Sequence, residues 1–331
     1  MSVTGLGDRA QLLLGLRQNT EIRTRLAARS QELSTGVASD MVAHRKGDTA
    51  PLADLDRRVA LAKAYGSAAK EAATRLGLVD EALERVETAR SGLFSDLVTA
   101  TAGGNLGTAS ASARSAFATI VSALNTQLGD DGLFAGTATG GTALASADAM
   151  MADILATMAG VTTAAGVEAG LDDWFAGTGD GFGAAYQGSD ADARRDIDAD
   201  TRVRIGVRAD DPTLRGLLRA AALGALAADV TLDLPDEEAG ALIEGSRDAL
   251  LSLSSPLTEL RAGIGLGQSR VDQAIARHAA KASAWQILRN ELAEVDPYGT
   301  ASEVEALQTQ LETHYEMTQR LSSLSLMSYL R

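Results

Sequence analysis

Cysteine is absent from the chain, and aromatic residues fill only 4% of its 331 positions. The first absence excludes disulfides, thiolate nucleophiles and sulfur-ligated metals. The second leaves few large side chains for a compact core, so burial has to come from Leu, Val, Ile and a heavy load of Ala, which favours thin helical bundles. No stretch approaches the roughly eighteen apolar residues that cross a bilayer, so no membrane contact is expected. Met1 to Asp8 carry neither the basic region nor the apolar run of a secretory signal, which predicts a soluble chain or one exported without a cleaved signal peptide. A basic excess is missing as well. Thirty Lys and Arg stand against 44 Asp and Glu, a net charge of −14, with no basic cluster interleaved with aromatics, and nucleic acid is therefore not an expected partner.

Catalytic and metal chemistry find little to stand on. His44, His278 and His314 lie far apart and lack the three- or four-residue partners of a zinc motif. His278 reads as a polar layer that fixes register between packed helices. The glycines from Gly177 to Gly183 complete neither a P-loop nor a dinucleotide fingerprint and read as a flexible loop; calcium at Asp172, Asp173 and Asp180 is the second reading, without the ligand spacing of an EF-hand. Asp190, Asp192, Asp196, Asp198 and Asp200 could supply an acid and base pair, but beside Arg194, Arg195, Arg202 and Arg204 they read as a solvated strand face. No Gly-x-Ser-x-Gly elbow is present. The expectation is a non-enzymatic protein with no catalytic, cofactor or metal site.

Hydrophobic periodicity supplies the positive signal. Alternate steps of four and three residues from Leu55 to Leu97 trace a mostly apolar seam, widened by Val79, Val86 and Leu93 beside its polar positions. A second seam runs from Leu257 to Val295, opened by Pro256 and closed by Asp296-Pro297, and predicts a helix about 60 Å long. Between the seams, residues 136–212 are rich in Gly, Thr, Ala and Asp. They contain a short helical stretch around Ala147 to Met158 and an alternation over residues 195–207 that reads as one half-buried strand. Pro212 and Pro235 open two further helices.

The ends form a third pattern. Leu12, Leu16, Asn19, Ile22, Leu26 and Leu33 make one helical stripe; Val304, Leu307, Leu311, Tyr315, Leu321 and Leu324 make another, on a helix expected to start just after the Asp296-Pro297-Tyr298-Gly299 break. Single helices of this kind are marginal in water, so the two ends are expected to pair as a coiled coil. The chain then goes out and back as an elongated rod. Its expected parts are a terminal domain of residues 1–40 with 297–331, a helical bundle of 41–135 with 250–296, and an inserted mixed α/β domain of 136–249.

Several segments resemble a known family. Leu33-Ser34-Thr35-Gly36 with Ser39-Asp40 is similar to the segment that closes the first helix in bacterial flagellins and their junction proteins, although a second Asp often found there is missing. Arg261, Gly263, Ile264, Gly265 and Arg270 resemble the pattern in that superfamily's long return helix. Gly132-Leu133-Phe134-Ala135-Gly136-Thr137, Tyr186-Gln187-Gly188-Ser189-Asp190 with Arg195, and the ending Ser325 to Leu330 are closer to the hook-filament junction branch, the hook-associated protein 3 family, than to filament flagellin.

The resemblance implies a mainly α, flagellin-like rod of coiled-coil helices from both chain ends with a small central α+β domain. It also implies a structural protein of the extracellular flagellum, exported unfolded by the flagellar type III route. Its partners would be identical copies in a ring, an adjacent hook-associated protein on the hook side, flagellin on the filament side and an export chaperone. The assembly interface would comprise Leu12, Leu16, Ile22, Leu26, Leu33, Val304, Leu307, Leu311, Tyr315, Leu321, Leu324, Leu326, Tyr329 and Leu330. A minor flagellin and an unrelated coiled-coil adaptor are the alternatives.

Overall fold

A computed structural model describes the backbone of residues 4–138 and 140–329, and the side chains of residues 13–101, 103–138 and 140–320. In chain order the elements are α1 (Thr4–Thr35), α2 (Met41–His44), α3 (Ala50–Gly103), α4 (Leu106–Leu124), β1 (Gln127–Leu128), β2 (Asp131–Gly132), α5 (Ala147–Thr157) and α6 (Ala164–Ala176). There follow α7 (Phe182–Ala185), β3 (Arg194–Asp198), β4 (Thr201–Arg204), α8 (Pro212–Leu226), α9 (Asp236–Ser252), α10 (Ser254–Ala293) and α11 (Pro297–Tyr329). The architecture is mainly α with two small two-stranded sheets. The chain divides into two compact units, one from the described residues up to Ala62 together with those from Ala280 onward, the other from Lys63 to Ala279.

The larger unit is organised around α8. Leu214, Leu217, Leu218, Leu223 and Leu226 alternate with Ala220, Ala221, Ala222 and Ala225, and all are buried. A helix apolar on every side must be covered on every side, and α4, α6 and α9 cover it. Asp211 caps it by accepting from Thr213 N, with Pro212 in the first turn. Trp174 and Phe175 at the end of α6 close one end of the core, with their rings edge to face at 4.8 Å.

Along α3 the buried row is Leu76, Val79, Leu83, Val86, Arg90, Leu93 and Leu97. Asp80, Glu87 and Phe94, which the regular count placed on the seam, stand half-exposed beside it. The side chains that flank the polar positions therefore carry the packing. Arg90 stays charged within this row because its guanidinium donates to Glu87 (2.8 and 2.6 Å) and to the Leu250 carbonyl (3.2 Å).

The stretch 195–207 is not one strand. It folds back at Ala199-Asp200 into an antiparallel hairpin pairing Arg194 with Arg204 and Arg195 with Val203, with a bulge between Asp196 and Asp198. Ile197 and Val203 remain buried. Period-two alternation survives a turn that preserves parity, so the pattern alone does not distinguish one strand from a hairpin.

In the smaller unit α1 and α11 pack along one another and are joined to the ends of α3 and α10 through an elbow. Gly36, at φ +71°, ends α1 in the left-handed conformation that favours glycine, and its N–H donates to the Glu32 carbonyl (2.7 Å). Past it the chain runs antiparallel to the segment after α10: Ala38 N donates to Ala293 O (3.0 Å) and Val295 N to Gly36 O (3.1 Å). The last helix starts earlier than the sequence reading placed it. Asp296 is its cap, accepting from Tyr298 N (3.1 Å) and Gly299 N (3.2 Å), so Pro297 opens the helix where its missing N–H costs nothing.

Candidate assembly interface

The apolar stripes of the terminal helices divide into two sets. Ile22 is 4% exposed and Val304 9%, while Leu26, Leu307 and Leu311 are half-buried; these face the α1–α11 packing. The opposite ends of the two helices meet in antiparallel register, since a Cβ on Gly15 would lie 3.8 Å from His314 Cε1 and Arg29 Nε is 2.8 Å from Glu303 Oε2. Leu16, Leu33 and Tyr315 point to solvent, Leu16 being 57% exposed. The side chains of Leu12, Leu321, Leu324, Leu326 and Tyr329, and Leu330 altogether, lie outside the described residues.

A polar clasp holds the elbow. Glu32 is 3% exposed, and its carboxylate accepts from Ser39 N (2.8 Å), Ser39 Oγ (2.6 Å) and Arg29 NH1 (2.6 Å). Burial pushes its pKa up, but the Ser39 donors and Arg29 outweigh it and leave the carboxyl below its ordinary value. The Arg29 guanidinium is held above its own by hydrogen bonding to Glu32, against the opposing effect of burial. Only Ser39 was visible beforehand, as part of the segment resembling flagellins. Glu32 and Arg29 gave no such signal, because a Glu three residues after an Arg on a helix is ordinarily a solvated pair.

The two junction-like segments meet in the larger unit. Leu133, Phe134 and Ala135 are buried, and Gly136, at φ +67°, lies where a Cβ would come 2.5 Å from the Ala191 carbonyl. Thr137 N donates to Ala191 O (3.1 Å), Ser189 N to Ala135 O (3.0 Å), and Tyr186 OH to Ser189 O (2.9 Å). Tyr186 is pushed up to about 12, first by burial and then by the Asp210 carboxylate. Arg75 of α3 donates to the Gly132 carbonyl (3.0 Å), and Arg261 of α10 approaches Asp80 (3.4 Å). Each of these groups is used in packing.

The remaining candidates for chemistry are similarly engaged. His278 is 2% exposed, with Nε2 2.8 Å from the Ile197 carbonyl and its ring stacked on Tyr65 at 5.5 Å. It joins α10 to the hairpin and to α3, more than the helix-to-helix layer its spacing suggested. Asp192 faces Arg194 and Arg204 at 3.8 and 3.7 Å, and Asp172 and Asp196 are each paired with an arginine. Among the described residues no three His, Asp or Glu side chains form a metal cluster, and no helix is long and apolar enough to cross a membrane.

Comparison with known proteins locates this geometry. Residues 250–330, which hold α10 and α11, match the bacterial flagellin C-terminal helical region. The chain is flagellin-like in fold and in its C-terminal sequence. Among solved structures, one described as a flagellar hook-associated protein from Vibrio parahaemolyticus aligns at 13% identity and a TM-score of 0.50, over 72% of this chain and 95% of that one. FlgL of Bacillus cereus aligns at 11% identity and a TM-score of 0.42, over 72% and 96%. No curated protein matches the flagellin-like chain in sequence. The family it matches is structural and non-enzymatic.

Proposed function

We propose that the chain is a structural subunit of the bacterial flagellum that joins hook to filament. The observation that carries this is the flagellin-type C-terminal region, α10 and α11, folded back so that α11 lies along α1. Copies of the chain would form a ring, with a hook-associated protein on one side and flagellin on the other. Export would use the flagellar type III route, with a chaperone guarding α11. A chain without cysteine needs no oxidation after export, and helices with local contacts refold quickly.

Terminal helices would order fully as neighbours cover them. Support comes from the small burial each achieves alone: Ile22 and Glu32 are the buried described side chains of α1. A helix so sparsely covered gains little against an ordering cost of about 1–2 kcal/mol per residue. Folding and assembly then become one step, which limits premature polymerisation.

Deleting the gene in the source bacterium tests the reading. Bare hooks by electron microscopy, with flagellin shed into the medium, are the expected outcome. Intact filaments would overturn it. Bare hooks with no flagellin in cells or medium would favour the second reading, a minor flagellin, which the flagellin-type match also accommodates.

A further inference from the structure

The outer face of the β3–β4 hairpin holds two arginines against each other. Ile205 N donates to Ala193 O (2.9 Å), which makes the next pair, Arg194 and Arg204, a non-hydrogen-bonded one, the closely spaced kind with Cα atoms about 4.5 Å apart. Like charges directly opposite each other weaken a sheet. Among the described residues Asp192 is the one carboxylate within ion-pair reach of the two, at 3.8 and 3.7 Å, too far for a hydrogen bond to either. The other carboxylate on this face, Asp196, is taken by Arg202 through both guanidinium donors. Beside the hairpin on α10, Arg270 and Arg277 are exposed and have no ion-pair partner among the described residues. Their place is set by Gly267, where a Cβ would lie 3.8 Å from the Arg204 carbonyl, and by His278 on the Ile197 carbonyl. Elsewhere in the larger unit arginines meet carboxylates at hydrogen-bond distance, as Arg90 meets Glu87 (2.6 Å) and Arg114 meets Asp229 (2.6 Å). The hairpin face is short of negative charge, in a chain whose net charge is −14.

The same unit carries the complement. Residues 136–193 contain eight Asp and Glu and no Lys or Arg. Helices α5 and α6 bury Ile154 and Leu171 and expose Asp148, Asp153, Asp172 and Asp173, with the short side chains of Ala152 and Ala169 between them. Trp174 Nε1 donates to Asp153 (2.7 Å), which ties the acids of the two helices into one surface. Asp148 and Asp173 have no ion-pair partner among the described residues. Carboxylates set among alanines stand clear of the surface, where a second molecule reaches them without displacing long side chains. Within one chain the two surfaces do not meet: Asp172 pairs with Arg219, and Arg194 and Arg204 share Asp192.

We propose that the arginine face of the hairpin in one copy receives the α5–α6 carboxylates of a second copy. This deepens the flagellar reading and rests on it, adding a contact made by the larger unit alone. Chains that each carry −14 repel unless patches of opposite sign oppose each other, and these two patches are of opposite sign. Hairpin on hairpin would set arginines against arginines, and α5–α6 on α5–α6 would set acids against acids. The contact is therefore heterologous, the kind that closes rings or extends filaments. Made by exposed charges, it is weak by itself and sensitive to salt, and it fixes which faces of neighbouring larger units oppose each other.

The absence of cysteine allows single thiols to be placed on the two faces. Asp200→Cys at the hairpin turn in one tagged copy and Ala169→Cys on α6 in another, both exposed, would be co-expressed in the source bacterium, and isolated flagella treated with a short bismaleimide. Cross-linking between unlike copies is expected, with none between two Ala169→Cys copies. Asp148→Arg with Asp173→Arg should abolish it. So should Arg194→Gln with Arg204→Gln, which relieves a like-charge repulsion and should leave hydrogen exchange of the β3–β4 amides no faster than in the parent. A pair of arginines that served only the hairpin's own stability would not combine those two results. With the protein present in flagella, cross-linking of Ala169→Cys copies to each other, no cross-linking at all, or a yield indifferent to both double variants would overturn the face pairing and leave the flagellar role standing. Absence of the parent protein from flagella would instead overturn the role; the same thiol pair on concentrated purified protein then decides the pairing, as it does for a variant that fails to enter flagella.

Discussion

Replacing Glu32 with Ala should open the elbow between α1 and α2. The carboxylate accepts from the Ser39 hydroxyl and from the Ser39 N–H as well. Hydrogen bonds to a charged acceptor are worth roughly 1.5–3 kcal/mol each, and a buried donor left unpaired costs a similar amount. Water can reach Ser39 once the side chain is truncated, and Arg29 keeps Glu303 at 2.8 Å, so the loss should be about 2–3 kcal/mol, at the lower end of the summed contacts. In native-state hydrogen exchange that loss corresponds to roughly 30- to 150-fold faster exchange at the Ala38 and Val295 amides, which close the elbow ladder. Core amides of α8 should be unchanged. Acid should reproduce the effect in the parent: a carboxyl held below its ordinary value of 4.5 contributes stability that is complete above that value and is lost as pH falls through the lowered one. Glu32→Gln keeps acceptors for Ser39 but removes the charge, so it should show a smaller loss and a weaker acid response in this segment. Parental exchange rates in Glu32→Ala, or an acid response that persists at full size in Glu32→Gln, would refute the reasoning.

Other predictions follow from the same contacts. Leu311→Asp puts a charge on the half-buried α1–α11 face and should give a soluble monomer absent from isolated flagella, as immunoblotting would show. Gly136→Ala forces a Cβ against the Ala191 carbonyl at positive φ and should cost more than about 1 kcal/mol, measured as a lowered urea midpoint. His278→Leu leaves the Ile197 carbonyl without its partner and should cost about 1–3 kcal/mol, with faster exchange of the β3–β4 amides; unchanged hairpin protection would contradict the anchoring role.

The long helices and several of their starts were legible in the residues, because capping and periodicity are local, whereas α6 was not read within residues 136–212 and α11 starts before the place expected for it. Pro212, Asp211 and the seam from Leu257 to Val295 each express a rule that operates within a few turns of chain. The segments resembling flagellins were legible for a related reason: Gly36 and Gly136 hold backbone conformations that glycine tolerates best. Where local rules met a choice, they missed. Alternation over residues 195–207 was compatible with a strand or a hairpin, and Asp296 looked like the end of one helix when it is also the cap of the next.

The sequence by itself determined that this is a helical, cysteine-free, acidic chain whose two ends are amphipathic, since each of those properties is a sum over residues or a short-range period. Only the tertiary structure decided which side of each terminal helix is spent inside the chain. Ile22 and Leu26 turned inward while Leu13 and Leu16 stayed out, and that depends on the elbow at Glu32, Ser39 and Gly36 fixing the rotation of α1 about its axis. A helical wheel has no preferred partner until a long-range contact supplies one.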